Sequence, residues 1–441
     1  MPSRPAAKPR KPPAPADVRI ERIGFEADGI ARLPDGTPLY VPFTLPGETV
    51  TARPLQPRGD GWHATVDAII SPSEARVAPP CAHFGRCGGC VLQHANDAAY
   101  RTWKSALLAQ ALRHAGFTPP DTLPFVPGLP GERRRLDFAA QRSAGRLSLG
   151  LHEPRSSAIV DLTNCLVLHP RLMALIDPLR TLLRGQKSIR RDASVMIKLL
   201  DSGPDMLLRT DAPLTLDDRT ALTRFAADHG LPRISQQRGS DTPETIGLLR
   251  PPVTALSGTT VRPPPGVFLQ ATAEGERAII EAVLHGLPEK RTGKTRIAEL
   301  YAGCGTLTFA LAGQVRVSAF EGDAATVAAL QQAINQSGQA GRIEATHRDL
   351  ARQPLSAKEL AAFAAVVLDP PHNGAAAQIA QIAAAGTRTV IYVSCNPATL
   401  SRDAATLRTA GYRLAAATAI DQFLWSARLE SVAVFRHGTQ G

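Results

Sequence analysis

The feature that most constrains the fold is a change of pattern at Pro263. From there onward, short apolar segments alternate with alanine-rich stretches of helical composition, and the segments read TRIAELYAG, RVSAFEGD, AAVVLDPP and RTVIYVSC. Strands that alternate with helices form a parallel sheet with helices packed on its faces. The pattern therefore predicts a doubly wound, Rossmann-like α/β domain over residues 263–441.

The N-terminal part has a different pattern, in which short alternating segments are separated by glycine and proline. These segments are VRIERIGF, GIARLP, TPLYVPF, ETVTARPLQP and GWHATVDAII, with a hairpin turn expected at Asp35-Gly36. Five short strands predict a small OB-like β-barrel, a fold that often binds oligonucleotides. The preceding residues are basic and proline-rich and lack a signal-peptide core, so we expect a disordered basic tail and a cytoplasmic protein.

A chain of 441 residues has room for several domains. A mixed central region begins with the cysteine-rich stretch and a helix predicted over residues 97–116, which we expect to pack on the C-terminal domain. The predicted division is a tail over 1–17, a barrel over 18–73, a central region over 74–262 and the α/β domain over 263–441.

The charge balance indicates the class of partner. Lysine and arginine number 50 against 39 acidic residues, a net charge of +11, and such a surplus favours nucleic acid. The basic run Arg133–Arg135 is compatible with a solvated face or with phosphate contacts. No apolar run approaches the roughly 18 residues of a transmembrane helix, so we expect no membrane partner. We expect a monomer.

Two motifs predict a cofactor site. In ELYAGCGTLT, Gly303 and Gly305 would let backbone amides approach a ligand where a strand passes into a helix. Glu321 ends the next strand, where an acid can bind both ribose hydroxyls. The third glycine of the dinucleotide fingerprint is absent, which favours S-adenosylmethionine over NAD. Cys304, within the loop, is interpreted as a small filler residue.

Two further strand ends carry candidate reactive groups. Asp369 begins DPPHNG, in which His372 stands where enzymes that methylate exocyclic amines usually have an aromatic residue. Cys395 ends the next strand, at the edge of the sheet where ligands bind. A thiolate that adds to C6 of a pyrimidine makes C5 nucleophilic, and a base must then remove the C5 proton. Glu430, near the C-terminus, is a candidate for that base, although an isolated glutamate is usually a surface residue.

The cysteine stretch CAHFGRCGGC supplies three thiols, Cys81, Cys87 and Cys90. In a reducing compartment clustered cysteines more often bind metal than form disulfides. Four thiolates suit zinc and an iron–sulfur cluster equally, so spacing alone leaves both open.

The series FLQ (268–270), ELYAGCGTLT, FEGD, LDPP, VSCNPATLSRD and LESVAVF resembles the RNA (uracil-5-)-methyltransferase family, and the N-terminal strands resemble its TRAM domain. The resemblance implies an S-adenosylmethionine-dependent enzyme that forms 5-methyluridine, with 23S rRNA as the substrate. It implies Cys395 as the nucleophile and Glu430 as the base. The implied cofactor contacts are Gln270, Tyr301, Glu321 and Asp369, and the implied [4Fe–4S] ligands are Cys81, Cys87, Cys90 and Cys165.

The chain departs from the family pattern at two places. Many relatives have asparagine where Thr306 stands, and a histidine-containing approach to the final glutamate is replaced by FLWSAR. The alternatives are a tRNA 5-methyluridine enzyme, an RNA cytosine-5 methyltransferase and a non-catalytic RNA-binding assembly factor. Cytosine enzymes typically place a second cysteine where His372 stands, and an assembly factor would not need Cys395 and Glu430. An electron-transfer or radical protein would need a cluster with an open iron, which four cysteine ligands do not leave.

Overall fold

The computed structural model describes residues 11–438. These residues form two compact units. The first unit comprises the described residues up to Lys104 together with Trp425–Ala427, and the second comprises Ser105–Leu424 and the chain from Arg428 onward. Residues 1–10 of the predicted tail lie outside the described residues. Between residues 11 and 438, no helix is both long enough and apolar enough to cross a membrane.

The first unit is built on one six-stranded sheet with the order β1-β5-β6-β4-β3-β2. Its strands are β1 (Ala16–Arg19), β2 (Arg22–Ile23), β3 (Gly29–Arg32), β4 (Pro38–Val41), β5 (Thr49–Arg58) and β6 (Gly61–Ser71). Alternate residues of β5 are buried, as expected for a sheet with one face on a core, and that core includes Val18, Leu39, Val50 and Trp62. The first predicted strand is divided into β1 and β2, and β1 begins two residues inside the predicted tail.

Three residues from near the C-terminus complete the first unit. The backbone N–H groups of Val91 and Leu92, which follow the cysteine stretch, donate to Trp425 O at 2.7 and 3.2 Å. The N–H of Trp425 donates to Tyr100 Oη at 2.8 Å. Lys104 Nζ donates to Ser426 O at 2.7 Å. Helix α1 (Asp97–His114), which closely matches the predicted helix, starts in this unit and continues into the second.

The second unit contains a seven-stranded sheet with the order β10-β9-β8-β11-β12-β13-β14. After β7 (Phe125–Val126) come β8 (Arg135–Ser143), β9 (Arg146–His152), β10 (Ile159–Asp161), α2 (Pro170–Met173), α3 (Ile176–Gly185), β11 (Asp192–Leu200), β12 (Gly203–Thr210), α4 (Leu216–Asp228), β13 (Arg233–Arg238), β14 (Glu244–Leu248) and the hairpin β15 (Thr254–Leu256) and β16 (Thr259–Val261). Charged groups are buried here: Arg233 forms two hydrogen bonds to Asp205, at 2.8 and 2.9 Å, and Lys198 Nζ lies 3.5 Å from the same carboxylate.

The same unit contains the predicted α/β domain. Its elements are α5 (Ala273–His285), β17 (Arg296–Leu300), α6 (Thr306–Ala312), β18 (Arg316–Glu321), α7 (Ala324–Gln336), β19 (Ile343–His347), α8 (Ala357–Leu360), β20 (Ala365–Leu368), α9 (Ala376–Ala385), β21 (Thr389–Ser394), α10 (Pro397–Thr409), β22 (Tyr412–Ile420) and β23 (Glu430–His437). The sheet order is β19-β18-β17-β20-β21-β23-β22-β7. Strands β17 to β21 are parallel to one another, whereas β23 runs antiparallel to β21. The predicted doubly wound fold class is confirmed.

Strands β20 and β21 are buried at every residue, because helices cover both faces of a parallel sheet. Their polar groups are therefore concentrated where the strands end. The predicted nucleophile, base and S-adenosylmethionine contacts all belong to this α/β domain: Gln270, Tyr301, Glu321, Asp369, Cys395 and Glu430.

Candidate active site

The loop after β17 is shaped by backbone conformations that few residues adopt. Gly303 has φ 55° and Gly305 has φ 101°, and Tyr301, although not a glycine, has φ 64°. A Cβ on Gly305 would lie 2.6 Å from the Phe309 ring, so this position requires glycine both for its conformation and for space. A non-glycine residue at positive φ often marks a functional loop. Burial raises the pKa of the Tyr301 hydroxyl to about 12.

Glu321 lies against the glycine loop, as predicted from its position at the end of β18. Its Oε2 accepts a hydrogen bond from Gly303 N at 2.9 Å. Its Oε1 accepts from Gly322 N at 2.7 Å and Asp323 N at 2.9 Å. The carboxylate therefore joins the glycine loop to the turn that starts α7.

A cavity of about 600 Å³ opens beside Glu321 and is also lined by Gly303, Asp323, Arg209 and Phe268. This volume is in the range of small-molecule and cofactor sites. The glycine loop and its acid form one wall, and residues of the central sheet form another.

Four polar side chains, from three different parts of the chain, form a continuous hydrogen-bonded series. Gln270 Nε2 donates to Asp369 Oδ2 at 3.2 Å. Gln422 Nε2 donates to Gln270 Oε1 at 2.9 Å and to Glu430 Oε2 at 2.5 Å. Gln422 Oε1 accepts from Ala271 N at 2.9 Å. The series connects a predicted cofactor residue, Asp369, to the predicted base.

Cys395 and Glu430 occupy facing ends of neighbouring strands. In the antiparallel pair β21 and β23, Ser394 is the register partner of Ser431, and Ser431 Oγ donates to Ser394 O at 3.1 Å. Cys395 follows the last residue of β21, and Glu430 is the first residue of β23, so the two residues lie at adjacent strand ends. They are near enough for the charge of Glu430 to raise the pKa of Cys395.

The electrostatic surroundings favour the uncharged forms of both groups. Burial, followed by the charges of Glu430 and Asp369, raises the pKa of the Cys395 thiol to about 11, and Arg428 opposes this rise. Burial and the Asp369 charge raise the pKa of Glu430, whereas Gln422 and Arg135 lower it. Strongly shifted pKa values at a strand edge are typical of active sites.

His372 lies beside the thiol. Its Nδ1 is 3.9 Å from Cys395 Sγ and 3.1 Å from an Arg428 guanidinium nitrogen. A guanidinium only donates hydrogen bonds, so this contact requires the tautomer in which Nδ1 accepts; Nε2 lies 3.3 Å from Asn396 Nδ2. Asn396 Nδ2 donates to the backbone oxygen of His372 at 3.1 Å. Partial burial and the Arg428 charge lower the pKa of His372, which favours a neutral imidazole next to the thiol.

The basic run at the start of β8 is directed partly inward. Arg134 Nη2 donates to Glu276 at 2.5 Å and Arg134 Nε donates to Gln270 O at 3.0 Å. Its backbone N–H also donates to Ala271 O at 2.8 Å. Arg134 therefore holds the segment that carries Gln270, a role different from a solvated face or a phosphate contact.

Arg135 belongs to the same site. Its guanidinium lies 4.1 Å from the centre of the half-exposed Phe268 ring. Burial lowers its pKa to about 10, while the charges of Cys395 and Glu430 oppose that shift. Arg135 remains a cation near the nucleophile and base candidates. Sequence reasoning missed both Arg135 and Gln422, because neither lies in a motif with distinctive spacing.

The four predicted cluster cysteines are all partly buried. Thiols are the donors that zinc and iron–sulfur clusters use, and Gly89 N donates to Cys87 Sγ at 3.5 Å. Cys81, Cys87 and Cys90 belong to the first unit and Cys165 to the second. Across residues 11–438, no three His, Cys, Asp or Glu side chains are grouped so that they could hold a metal ion. The four thiols are donors of the kind that a cluster needs. Among the described residues, however, they are not grouped as a metal site.

Comparison with known proteins agrees with this geometry. The structure is similar to the tRNA (uracil-54, C5)-methyltransferase of Pyrococcus abyssi, with a TM-score of 0.69 at 18% identity, covering 95% of this chain and 100% of that one. The C-terminal domain is thus a Rossmann-like methyltransferase fold. A family model described as tRNA (Uracil-5-)-methyltransferase matches residues 260–437, and a TRAM domain model matches residues 16–53.

Relatives match over nearly the full chain. An RNA methyltransferase of Rhizobium meliloti is 38% identical over 94% of this chain and 98% of its own. A 23S rRNA (uracil(1939)-C(5))-methyltransferase of Nitrosospira multiformis is 33% identical over 95% of this chain and 98% of its own. The chain belongs to the RNA (uracil-5-)-methyltransferase family. The predicted enzyme class, an S-adenosylmethionine-dependent methyltransferase, is confirmed.

Proposed function

We propose that this enzyme methylates C5 of a uridine in structured RNA, with 23S rRNA as the substrate, through a covalent adduct between Cys395 and C6. The observation that carries the proposal is the register of β21 and β23, whose last pair, Ser394 and Ser431, brings Cys395 and Glu430 to neighbouring strand ends. A nucleophile and a base on facing strand ends can act on two adjacent atoms of one ring. C5 methylation of a pyrimidine needs this pair.

The steps follow from the chemistry of the ring. The Cys395 thiol gives up its proton, to water or to Nδ1 of His372, which lies 3.9 Å from Sγ. The thiolate forms a bond to C6, and the electron pair of the C5–C6 double bond becomes the nucleophile at C5. C5 takes the methyl group as the bond of that group to the donor sulfonium breaks, which leaves a neutral thioether. The carboxylate of Glu430 then takes the C5 proton. The C5–H electron pair re-forms the double bond, the C6–S bond breaks, and the thiolate is regenerated.

Gln270, Tyr301, Glu321 and Asp369 are proposed to hold S-adenosylmethionine, which when bound supplies a methyl group activated on a sulfonium centre. Glu321, on the wall of the 600 Å³ cavity, has the position of an acid that binds ribose hydroxyls. Burial raises the pKa of Asp369. A cationic ligand beside it would favour its ionised form.

The choice of RNA rests on several observations. The Nitrosospira multiformis relative is named for 23S rRNA, the chain carries a net charge of +11, and a TRAM model matches its N-terminal strands. We propose that the barrel over residues 18–73 contacts RNA and that the enzyme acts as a cytoplasmic monomer. No observation here favours cytosine over uracil.

We also propose a [4Fe–4S] cluster on Cys81, Cys87, Cys90 and Cys165. The support is the thiol donor set and the resemblance of the four-cysteine pattern to that of the bacterial 23S rRNA enzymes. Its role would be structural, since methyl transfer to uracil requires no electron transfer. Zinc on the same thiols is the alternative.

Mass-spectrometric mapping of 5-methyluridine in rRNA and tRNA, from cells with and without the gene, tests the proposed function. Loss of one 5-methyluridine in 23S rRNA is expected, and restoring the gene should restore it. If 5-methyluridine is lost only from tRNA, the substrate is tRNA instead of 23S rRNA. If 5-methylcytidine is lost instead, the enzyme methylates cytosine.

A further inference from the structure

Gln422 makes a complete set of contacts in the middle of the site. Its side chain is 3% exposed, and its two N–H hydrogens go to Gln270 Oε1 and Glu430 Oε2. Its carbonyl oxygen accepts from Ala271 N. A primary amide has two donors and one acceptor oxygen, so every polar group of Gln422 is used and its orientation is fixed.

This contact makes the two oxygens of Glu430 different. Oε2 receives the Gln422 hydrogen bond at 2.5 Å. Oε1 is buried and has no hydrogen-bond partner among the residues that the structure describes. A buried carboxylate oxygen without a partner is costly, and it is the oxygen that gains most from taking up a proton.

The packing around Gln422 is independent evidence that the position is built for it. Gly275, in the first turn of α5, has no left-handed backbone angle that would require glycine. A Cβ there would lie 2.7 Å from Gln422 Cβ, 2.8 Å from Oγ1 of the N-cap residue Thr272 and 3.1 Å from Gln422 Oε1. Glycine within a helix is destabilising relative to alanine, so this glycine provides space both for residue 422 and for the cap of α5.

We infer that Gln422 is a positioning residue for the base: it fixes Oε2 of Glu430 and leaves Oε1 as the atom that takes the C5 proton. The inference rests on the proposed function and adds a residue to it. Gln422 acts through Glu430 and Gln270, and it links the base to the cofactor residue Asp369 through their shared hydrogen bonds.

The titratable groups that face Glu430 come from three other elements: Asp369 after β20, Arg135 on β8 and the thiol of Cys395 after β21. Asp369 raises the pKa of Glu430, whereas Arg135 and the Gln422 hydrogen bond lower it. Removal of the Gln422 N–H therefore raises the pKa of the base. Activity that needs the carboxylate form must then begin at a higher pH.

The test measures the methylated RNA–protein adduct in single turnovers, with radiolabelled S-adenosylmethionine and denaturing gels. Gln422→Met removes all three hydrogen bonds, Gln422→Glu keeps the shape but loses the N–H groups, and Gly275→Ala displaces the side chain. Each should form the adduct and release it about 10- to 100-fold more slowly, a fraction of what a general base contributes. For Gln422→Met, the release rate should begin to fall at a higher pH than in the wild type as the pH is lowered.

Gly185→Ala is the matched control, because Gly185 ends helix α3 and a Cβ there would meet nothing within 4 Å. It should release the adduct at the wild-type rate. Wild-type release in Gln422→Met and Gln422→Glu, with an unshifted pH profile in Gln422→Met, would overturn the inference. If Cys395→Ala retained activity, the proposed function itself would fail instead, so the two failures are distinguishable.

Discussion

The thiol of Cys395 lies 3.9 Å from Nδ1 of His372, and that nitrogen also faces the guanidinium of Arg428. Cys395, the proposed nucleophile, is thus close to an imidazole and a cation. The charges of Glu430 and Asp369 act in the opposite sense to that cation and disfavour a thiolate. We expect the ligand-free enzyme to keep Cys395 as a thiol.

This protonation state can be measured. Because the pKa of Cys395 is raised to about 11, the thiolate is scarce at neutral pH, and alkylation should accelerate as the pH rises toward that value. Arg428→Gln should raise the midpoint further, since it removes a cation that favours the thiolate. Peptide mapping after iodoacetamide treatment isolates Cys395 from the other cysteines. A midpoint below 9, with or without Arg428, would contradict this prediction.

The covalent mechanism separates the roles of Cys395 and Glu430. Cys395→Ala should abolish methylation, because C5 is not activated without the thiolate. Glu430→Gln should form the methylated adduct and stall, since the C5 proton is not removed. Label from S-adenosylmethionine should then appear in a shifted band on a denaturing gel. The double variant is the control and should show no such band, and normal turnover by Glu430→Gln would exclude it as the base.

The proposed cluster predicts metal content. Protein purified without oxygen should be brown and contain about four irons per chain. Cys165→Ser should lose iron and unfold more readily, because a ligand is lost, while folded protein that remains keeps its methyl-transfer chemistry. Cys304→Ser is the matched control, since it also replaces a cysteine with serine. Cys304 belongs to the glycine loop and is not a proposed cluster ligand, so this variant should keep its iron. Stoichiometric zinc without iron would rule out the cluster.

The barrel is predicted to bind RNA through phosphates. Arg19 and Arg22 are exposed, and replacing both with glutamine should weaken binding and flatten the dependence of log affinity on log salt by about 0.7–0.9 per lost contact. Arg53 is a suitable control, because it already pairs with Asp67 through two hydrogen bonds. Affinity for S-adenosylmethionine should not change. If the salt dependence is unchanged, the RNA contacts must be assigned to the second unit instead.

The central sheet depends on a buried group of charges. Asp205 is 2% exposed and contacts both Arg233 and Lys198. Asp205→Ala leaves two buried cations without their carboxylate and should cost about 3–5 kcal/mol of unfolding free energy. Urea denaturation measures this loss. Glu244→Gln is the control: it removes an exposed partner of Arg219 and should hardly change the urea midpoint. Equal effects of the two substitutions would contradict the predicted importance of the buried Asp205.

The fold was predictable where periodicity decides it. Strands β17, β18, β20 and β21 match the four apolar segments after Pro263, and α1 matches its apolar spacing. The first predicted strand is two elements because β1 pairs with β5 whereas β2 pairs with β3, and between them Ile20 forms backbone bonds with Gly47 and Glu48. Such a break depends on a distant segment and leaves no local signal.

The site was predictable only in part. Strand ends located Asp369 and Cys395, because parallel strands place them at one edge of the sheet. Gln422 could not be identified, since two of its three partners, Gln270 and Ala271, lie about 150 residues away in sequence. Arg135 was grouped with its basic neighbours, although its position on β8 directs it toward Phe268. The sequence shows residue types, whereas these roles depend on tertiary contacts.

The pairing of Trp425 with Val91 and Leu92 has a consequence for biosynthesis. These groups are separated by more than three hundred residues, so a ribosome must make nearly the whole chain before the first unit has all its hydrogen bonds. Domains usually fold in order from the N-terminus during synthesis. Here the last partners of the N-terminal unit arrive only a few residues before Glu430. A nascent chain therefore acquires its complete N-terminal unit and the proposed base, Glu430, at almost the same moment, and shorter chains lack both.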